Sequence, residues 1–279
     1  MRADDPAEFT MIGIIKEPKV YVVGRQTVDD AGLARFLADH GVGWQSDSSV
    51  AAEVLCEAAG RVCYMSFAKP RPGGNAAYLA HIKESGHGSV LEHAVWNLLI
   101  TGVSRGLTHE LVRHRAGFGF SQLSQRYVGG SAAEYVEPDV VAADPELHAL
   151  WVRAVEQSHA AYVALAEKLA AKLADPGSAL SAFLPPDADR TARRKAARQA
   201  ARSVLPNATE TKVFVTANAR ALRHFLEQRG SRHAEPEIRK LAGKILDVLI
   251  RESPNLFGDY VTTPLPDGTF EITTPFRKV

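Results

Sequence analysis

Between Asp144 and Gly177 the chain carries its strongest constraint on fold. Asp144 can cap a helix and Pro145 suits the first helical position. Leu147, Trp151, Val155, Ser158, Tyr162, Leu165, Leu169 and Leu173 then recur at spacings of three and four until Asp175-Pro176-Gly177 stops the pattern. This predicts one helix about 40 Å long. It can pack against its own domain or against a second subunit, and the pattern fits both.

Strands and helices interleave around it. Lys19–Gly24 reads as a strand, and Asp29 or Asp30 opens a helix to about His40 with Leu33, Phe36 and Leu37 inward. Ser48 or Ser49 is expected to cap a helix through Tyr64, burying Val54, Leu55, Ala58, Val62 and Cys63. The turn-rich connector Lys69–Asn75 leads to a short helix, Ala76–Glu84. Ala94–Thr101 reads as a strand buried on both faces, and Ser104 as the cap of a helix running toward Arg115. Asp189–Arg202 is a basic helix with Arg194, Arg198 and Arg202 in one stripe. Glu210–Ala217 alternates as a strand with Val213 and Val215 on one face. Asn218 caps a helix, Ala219–Arg229, with Leu222, Phe225 and Leu226 inward. The last helix, His233–Glu252, buries Ile238, Leu241, Ile245, Val248 and Leu249, and 257–263 reads as an edge strand. With no repeat or linker, this predicts a single α+β domain: a mixed or antiparallel central sheet flanked by helices. Residues 1–16 read as a loose leader, 17–263 as the domain and 264–279 as a tail.

Bulk properties exclude several classes. A hydrophobic fraction of 46% and a charged fraction of 23% suit a chain that buries a core, and a net charge of +1 does not support a dedicated nucleic-acid binder. Two cysteines, Cys56 and Cys63, make no disulfide framework; seven apart on a helix, they read as buried small hydrophobes on nearly one face. The acidic N-terminus is no signal peptide, and the longest apolar run, Ala94–Val103, is too short to span a bilayer. A cytoplasmic protein without a membrane partner is expected. His87 and His93 have no third ligand at a familiar spacing, so no metal site is expected.

Against this background Ser104–Tyr127 stands apart: its 24 residues hold four arginines, two histidines, a glutamate, three serines and two glutamines. A core cannot tolerate that mixture unpaired. It reads as a site for an anionic, planar, hydrogen-bonding ligand. Were the helix to continue, Arg113 and Arg115 would lie about 200° apart, an arrangement that suits two neighbouring anionic ligands or one ligand crossing between subunits. Ser85–His93, with Gly86 and Gly88, reads as a loop that a ligand can approach closely. The Arg190–Arg202 run reads either as a solvated face or as a phosphate- or RNA-binding stripe.

Arg113-His114-Arg115, followed by Ser124 and Arg126, resembles the signature of the flavin-dependent thymidylate synthases. Supporting blocks are Gly86-His87-Gly88-Ser89 with Glu92-His93, Gln122–Tyr127, Arg202–Pro206, Asn218-Ala219-Arg220, and His224-Phe225-Leu226 leading to Arg229 and His233-Ala234. The resemblance implies a homotetramer with active sites between subunits, binding FAD and dUMP, with 5,10-methylenetetrahydrofolate and NADPH as co-substrates and no stable nucleic-acid partner. It places Ser89, Arg113, His114, Arg115, Gln122, Asn218, Ala219, Arg220 and His224 at FAD. It places Arg105, Glu110, Leu111, Val112, Arg113, Gln122, Leu123, Ser124, Gln125, Arg126, Arg202 and Arg229 at the nucleotide. Arg229 matches the residue that stabilises charge when the uracil ring ionises at N3.

The chemistry agrees with that assignment. Methylation at C5 of uracil needs electron density on that carbon. Neither cysteine has a basic neighbour in sequence to activate it as a nucleophile at C6. Arginine, always charged and planar, suits the alternative of stabilising a ring anion. One departure concerns spacing: eight residues, Ala116–Leu123, separate Arg115 from Ser124, one more than the family's usual seven. The extra residue lies in Ala-Gly-Phe-Gly-Phe and bears on the choice between dUMP and UMP.

Overall fold

The computed structural model describes residues 12–69, 72–127 and 134–279. In chain order it begins with β1 (Gly13–Ile15), β2 (Lys19–Arg25), α1 (Asp30–Asp39), α2 (Ala51–Val62) and α3 (Gly74–Glu84). A 3-10 segment, Gly88–His93, precedes β3 (Val95–Ser104) and α4 (Arg105–Leu111). Next come β4 (Phe118–Gln122), β5 (Glu134–Val136), α5 (Asp139–Ala142), α6 (Pro145–Ala174) and α7 (Arg190–Ala201). The chain continues through β6 (Glu210–Asn218), α8 (Ala219–Arg229), α9 (Pro236–Glu252), α10 (Pro254–Phe257), β7 (Val261–Pro264) and β8 (Phe270–Thr273). Among the described residues, no helix is long and apolar enough to cross a membrane.

Where the sequence suggested one domain, contacts divide the chain into two compact units. The first takes the residues up to Glu17, Gly102–Gly106 and Gln122–Lys212; the second takes Pro18–Thr101, Leu107–Ser121 and Val213–Val279.

The first unit is built on the long helix. Asp144 accepts hydrogen bonds from the N–H groups of Glu146 and Leu147, and α6 runs for 30 residues. Its buried residues are Val155, His159, Tyr162 and Leu173, while Leu147 and Leu165 of the expected stripe are exposed. The helix packs against α7, capped by Asp189. Residues 1–11 of the expected leader lie outside the described residues, but Gly13–Ile15 are not loose: β1 pairs parallel with β5.

The second unit holds most of a four-stranded sheet of order β2-β3-β6-β4, with β2 and β3 antiparallel. β3 is not buried on both faces. Trp96, Leu98 and Ile100 point into the core and alternate with half-exposed neighbours. A short apolar run does not reveal that alternation, because its outward residues include Val95 and Leu99. Helices α8 and α9 bury the expected Leu222, Phe225, Leu226, Ile238, Leu241, Ile245 and Leu249; Val248 is half-buried.

Helix α2 turns the other way from the sequence reading. Its buried face is Ala52, Glu53, Cys56, Glu57, Gly60 and Arg61, whereas Val62 and Cys63 are exposed. The inversion follows from partners remote in sequence. Arg61 donates to Glu57 (2.7 Å) and to the Ser66 carbonyl (2.8 Å), and Asn75 donates to Glu57 (2.8 Å). Glu53 accepts from the Ser253 hydroxyl (3.0 Å) and from the Asn255 amide group (2.9 Å). Buried charges met by several donors are tolerated, so the polar face goes inward. Ser48 acts just ahead of the N-cap, Val50: it accepts the Val50 N–H and donates to Glu53.

The C-terminal residues are no detached tail. β7 pairs antiparallel with β8 in a separate two-stranded sheet, not at the edge of the larger one, and Val279 is buried. Pro70 and Arg71 of the expected connector lie outside the described residues.

Candidate active site

The expected helix through Arg115 ends early, at Leu111. Two turn hydrogen bonds follow, Arg113 N–H to the Glu110 carbonyl (3.3 Å) and His114 N–H to the Leu111 carbonyl (3.2 Å). Gly117 then takes φ +72°, a conformation that side chains resist, and its carbonyl accepts the Asn218 N–H at 3.1 Å. A Cβ on Gly117 would stand 2.7 Å from the Asn218 amide nitrogen and 2.8 Å from Ala221 Cβ. Gly117 thus lies in a turn just before β4, within the Arg115–Ser124 segment that carries the extra residue. The angle of about 200° between Arg113 and Arg115 therefore does not apply.

Asn218, at the end of β6, caps α8 by accepting the Ala221 N–H (2.8 Å). That helix brings His224, Gln228 and Arg229 to the turn. Together with Arg113, His114, Arg115, Ala116 and Phe118 they line an open cavity of about 480 Å³. Gln228 and Phe118 were missed by sequence reasoning; only the helical offset of Gln228 from His224 hinted at its place.

Arg229 is fixed from two sides. Its Nη1 meets Glu110 at 2.8 Å, its Nη2 donates to the Glu110 carbonyl at 3.3 Å, and its Nε donates to His114 Nε2 at 3.0 Å. Glu110 also lies 3.4 Å from Arg113. His114 is buried, with its ring against Phe225 (5.2 Å between centroids), His224 (5.7 Å) and Phe118 (5.8 Å). Burial, then the Arg229 guanidinium and His224, push the imidazole down to about 4 against the pull of Glu110. It is neutral at pH 7. Since an arginine N–H can only donate, Nε2 must accept and Nδ1 carries the proton.

Ser89 and Arg220 line a different cavity, of about 300 Å³, with His87, Gly88, Cys63 and Tyr64. Arg220 donates to Glu92 at 2.6 Å. Any Cβ on Gly88 would collide with the Val279 main chain and crowd Arg220. Cys63 here contradicts the reading of two buried cysteines: Cys56 alone is buried, and burial pushes its thiol up to about 12. Ala219 and Leu111 are buried in the core, and Val112 is exposed.

The remaining expected residues belong to the first unit. Gln122 donates to Thr211 (3.3 Å), Leu123 N–H to the Lys212 carbonyl (2.9 Å), and Arg126 N–H to the Ser124 hydroxyl (3.4 Å). Gln125 Nε2 is buried without a hydrogen-bond partner among the described residues. Burial, and then the Arg202 charge, lower the pKa of Arg105. Of the basic stripe, Arg198 donates to the Tyr127 carbonyl (2.6 Å). Lys195 lies 4.8 Å from the Tyr127 ring; its hydrogen bond and charge lower the phenol pKa. Neither contact was legible in sequence.

Fold and cavities define a class: an α+β protein that gathers guanidinium, imidazole and hydroxyl groups suited to a phosphorylated, planar ligand. A family model described as thymidylate synthase complementing protein matches residues 47–255. The flavin-dependent thymidylate synthase of Mycolicibacterium gilvum (strain PYR-GCK) is 50% identical over 242 residues, which cover 86% of this chain and 92% of that one. The enzyme of the same name from Corynebacterium diphtheriae is 45% identical over 244 residues, with the same coverage. In fold the chain is similar to a UMP/dUMP methylase PolB from Streptomyces cacaoi bound with 5-Br dUMP (TM-score 0.59, 20% identity, 88% of this chain and 96% of that one). The chain belongs to the flavin-dependent thymidylate synthase family.

Proposed function

We propose that this protein methylates dUMP at C5 to dTMP, with FAD as cofactor, 5,10-methylenetetrahydrofolate as one-carbon donor and NADPH as reductant. The observation that carries the reading is the pinned guanidinium of Arg229 in a cavity walled by Arg113, Arg115 and two histidines. The donor set fits FAD: guanidiniums for its phosphates, aromatic and imidazole faces for its rings, and at Gly88 a backbone with no room for a side chain. Arg113, His114, Arg115, His224 and Asn218, with Ser89, Gln122 and Arg220, would hold the cofactor. Ala219 could serve only through its main chain. FAD, when bound, supplies the electron transfer that this chain's own side chains cannot perform.

The chain's residues bind and orient. Ser124 and Arg126, with Arg105 and Arg202, are assigned to the nucleotide phosphate, whose charge would offset the Arg202 charge felt at Arg105. Gln122 and Gln125 are assigned to polar atoms of the nucleotide, which would satisfy the orphaned Gln125 amide. Arg229 is the proposed catalytic residue. Two of its five N–H groups, one on each terminal nitrogen, have no partner among the described residues and remain to stabilise negative charge on the uracil ring. A homotetramer with sites between subunits, in the cytoplasm, is part of the same proposal.

Purified protein should be yellow and should release tritium from C5-labelled dUMP in the presence of methylenetetrahydrofolate and NADPH, with Arg229→Ala reduced at least about 100-fold, the scale of losing one electrostatic stabiliser. Full activity in that variant would remove Arg229 from the mechanism. The selectivity arm compares UMP with dUMP. With Gly117 turning the chain before β4 and the Leu123 N–H bonded to the Lys212 carbonyl, dUMP should be preferred; preference for UMP would refute this.

A further inference from the structure

Arg229 can stabilise a ring anion only if its plane is fixed before the nucleotide arrives, and its contacts differ in what they fix. Glu110 meets the two terminal nitrogens through one carboxylate oxygen and one carbonyl. Its carboxylate is shared with Arg113, an exposed side chain, so it can swing toward either guanidinium. The contact at Nε is of another kind. His114 Nε2 is a single acceptor on a largely buried ring packed against Phe225, Phe118 and His224. That contact sets the rotation of the guanidinium plane about the side-chain axis. We propose that His114 is the positioning residue for Arg229, and that it acts as a neutral acceptor whose Nε2 aims the free edge of the guanidinium at the uracil.

Protonation would destroy the contact. Nε2 would become a donor facing a donor, and two cations would lie 3.0 Å apart. The charged or titratable groups around the ring are Arg229 and His224 from α8, Glu110 from α4, and Arg113 and Arg115 from its own turn; β4 contributes the apolar Phe118. Cations outnumber the one carboxylate, so the surroundings favour the neutral ring. Both residues that hold Arg229 lie more than a hundred positions away in sequence, so motif spacing alone would not connect them.

The inference rests on the proposed methylation of dUMP, and its test has an arm independent of that reading. His114→Leu removes the acceptor and His114→Gln restores one at about the reach of Nε2. With FAD-loaded protein, His114→Leu should lower kcat for tritium release by about 30-fold or more (an order-of-magnitude expectation for losing one positioning hydrogen bond). With FAD held saturating for each variant, KM for dUMP should move less than about threefold, and His114→Gln should recover most of kcat. Equal losses in both variants, or a loss of FAD affinity that accounts for the loss of rate, would overturn the proposal and make His114 a cofactor ligand only. The second arm is 13Cε1-histidine NMR of the protein without substrate. His114 should report the Nδ1–H form and stay neutral from pH 8 to 5, and Arg229→Gln should raise its titration midpoint. A His114 signal indifferent to Arg229→Gln refutes the coupling. If wild type releases no tritium from dUMP, the functional reading fails, while the NMR result still decides whether His114 and Arg229 are coupled.

Discussion

Asp259→Asn is the substitution whose cost the structure specifies most closely. Arg223 is wholly buried, with 0% of its side chain exposed, and Asp259 is its counter-ion through Nη1 and Nη2, both at 2.8 Å. Lys83 donates to the same Oδ1 at 2.6 Å, and the Thr274 hydroxyl to Oδ2. Burial pushes the Asp259 carboxyl up, but Arg223, Lys83 and Thr274 outweigh it and hold the group down to about 2. Lys83 moves the other way: burial, helped by repulsion from the Arg223 charge, lowers its pKa despite the aspartate. We therefore assign the stabilisation to the arginine pair. In the variant the amide oxygen can replace Oδ1, but the NH2 group would face the donors at Oδ2. Two charge-assisted or hydroxyl contacts are lost and a buried guanidinium is left uncompensated, a cost of about 3–5 kcal/mol. Urea unfolding at pH 7.5, followed by circular dichroism at one fixed protein concentration, measures it. Arg223→Met placed on the Asp259→Asn background should cost at least about 1.5 kcal/mol less than in wild type, as expected for contacting partners. A loss below about 1 kcal/mol for Asp259→Asn, or additive behaviour in the cycle, would refute the argument.

Gly117→Ala should destabilise the protein by about 1–3 kcal/mol and weaken FAD retention, because the new methyl meets the Asn218 amide from a strained backbone; flavin absorbance after gel filtration checks it, and a variant that stays fully yellow and stable would refute it. Stability should also fall in two acid steps. His114 has its folded pKa depressed to about 4, so the unfolded chain binds the extra proton between about pH 6.5 and 4 and stability declines as pH drops through that window, by up to about 3 kcal/mol. Asp259 contributes stability that is complete above its unfolded pKa and is lost as pH falls from about 3.8 toward 2. Urea midpoints measured from pH 7.5 to 4.5 test the first step, and His114→Gln should flatten it.

The sequence disclosed those elements whose stability is local. Helices α1, α6 and α8 begin at Asp29, Asp144 and Asn218, whose side chains accept the expected cap hydrogen bonds. The inward faces of α8 and α9 followed from periodicity because their partners are apolar. Helix α2 misled because its inward charges are satisfied by Asn75, Ser253 and Asn255, and no window along the helix contains those donors. The end of α4 misled for a different reason. Residues 109–115 have good helix propensity, but Gly117 hands its carbonyl to Asn218, a demand made from another strand. β7 and β8 are four residues each, too short to announce themselves beside a turn.

The site was legible as a list of residue types and not as an arrangement. Arg113 and Arg229 compete for Glu110, the one carboxylate lining this end of α4, while Arg115 has no acidic partner among the described residues. Three guanidiniums against one carboxylate leave the cavity positive. That imbalance is bearable where Arg113 is 71% exposed and water screens it, but not where Arg229 sits. The two environments therefore divide the labour. The exposed arginines can take up phosphate charge at little cost to folding. The half-buried one must be neutralised and oriented before any ligand arrives, and a carboxylate alone would do the first without the second. A neutral imidazole adds direction without adding charge, which is why a histidine between two arginines makes physical sense in a pocket that already holds an excess of cations.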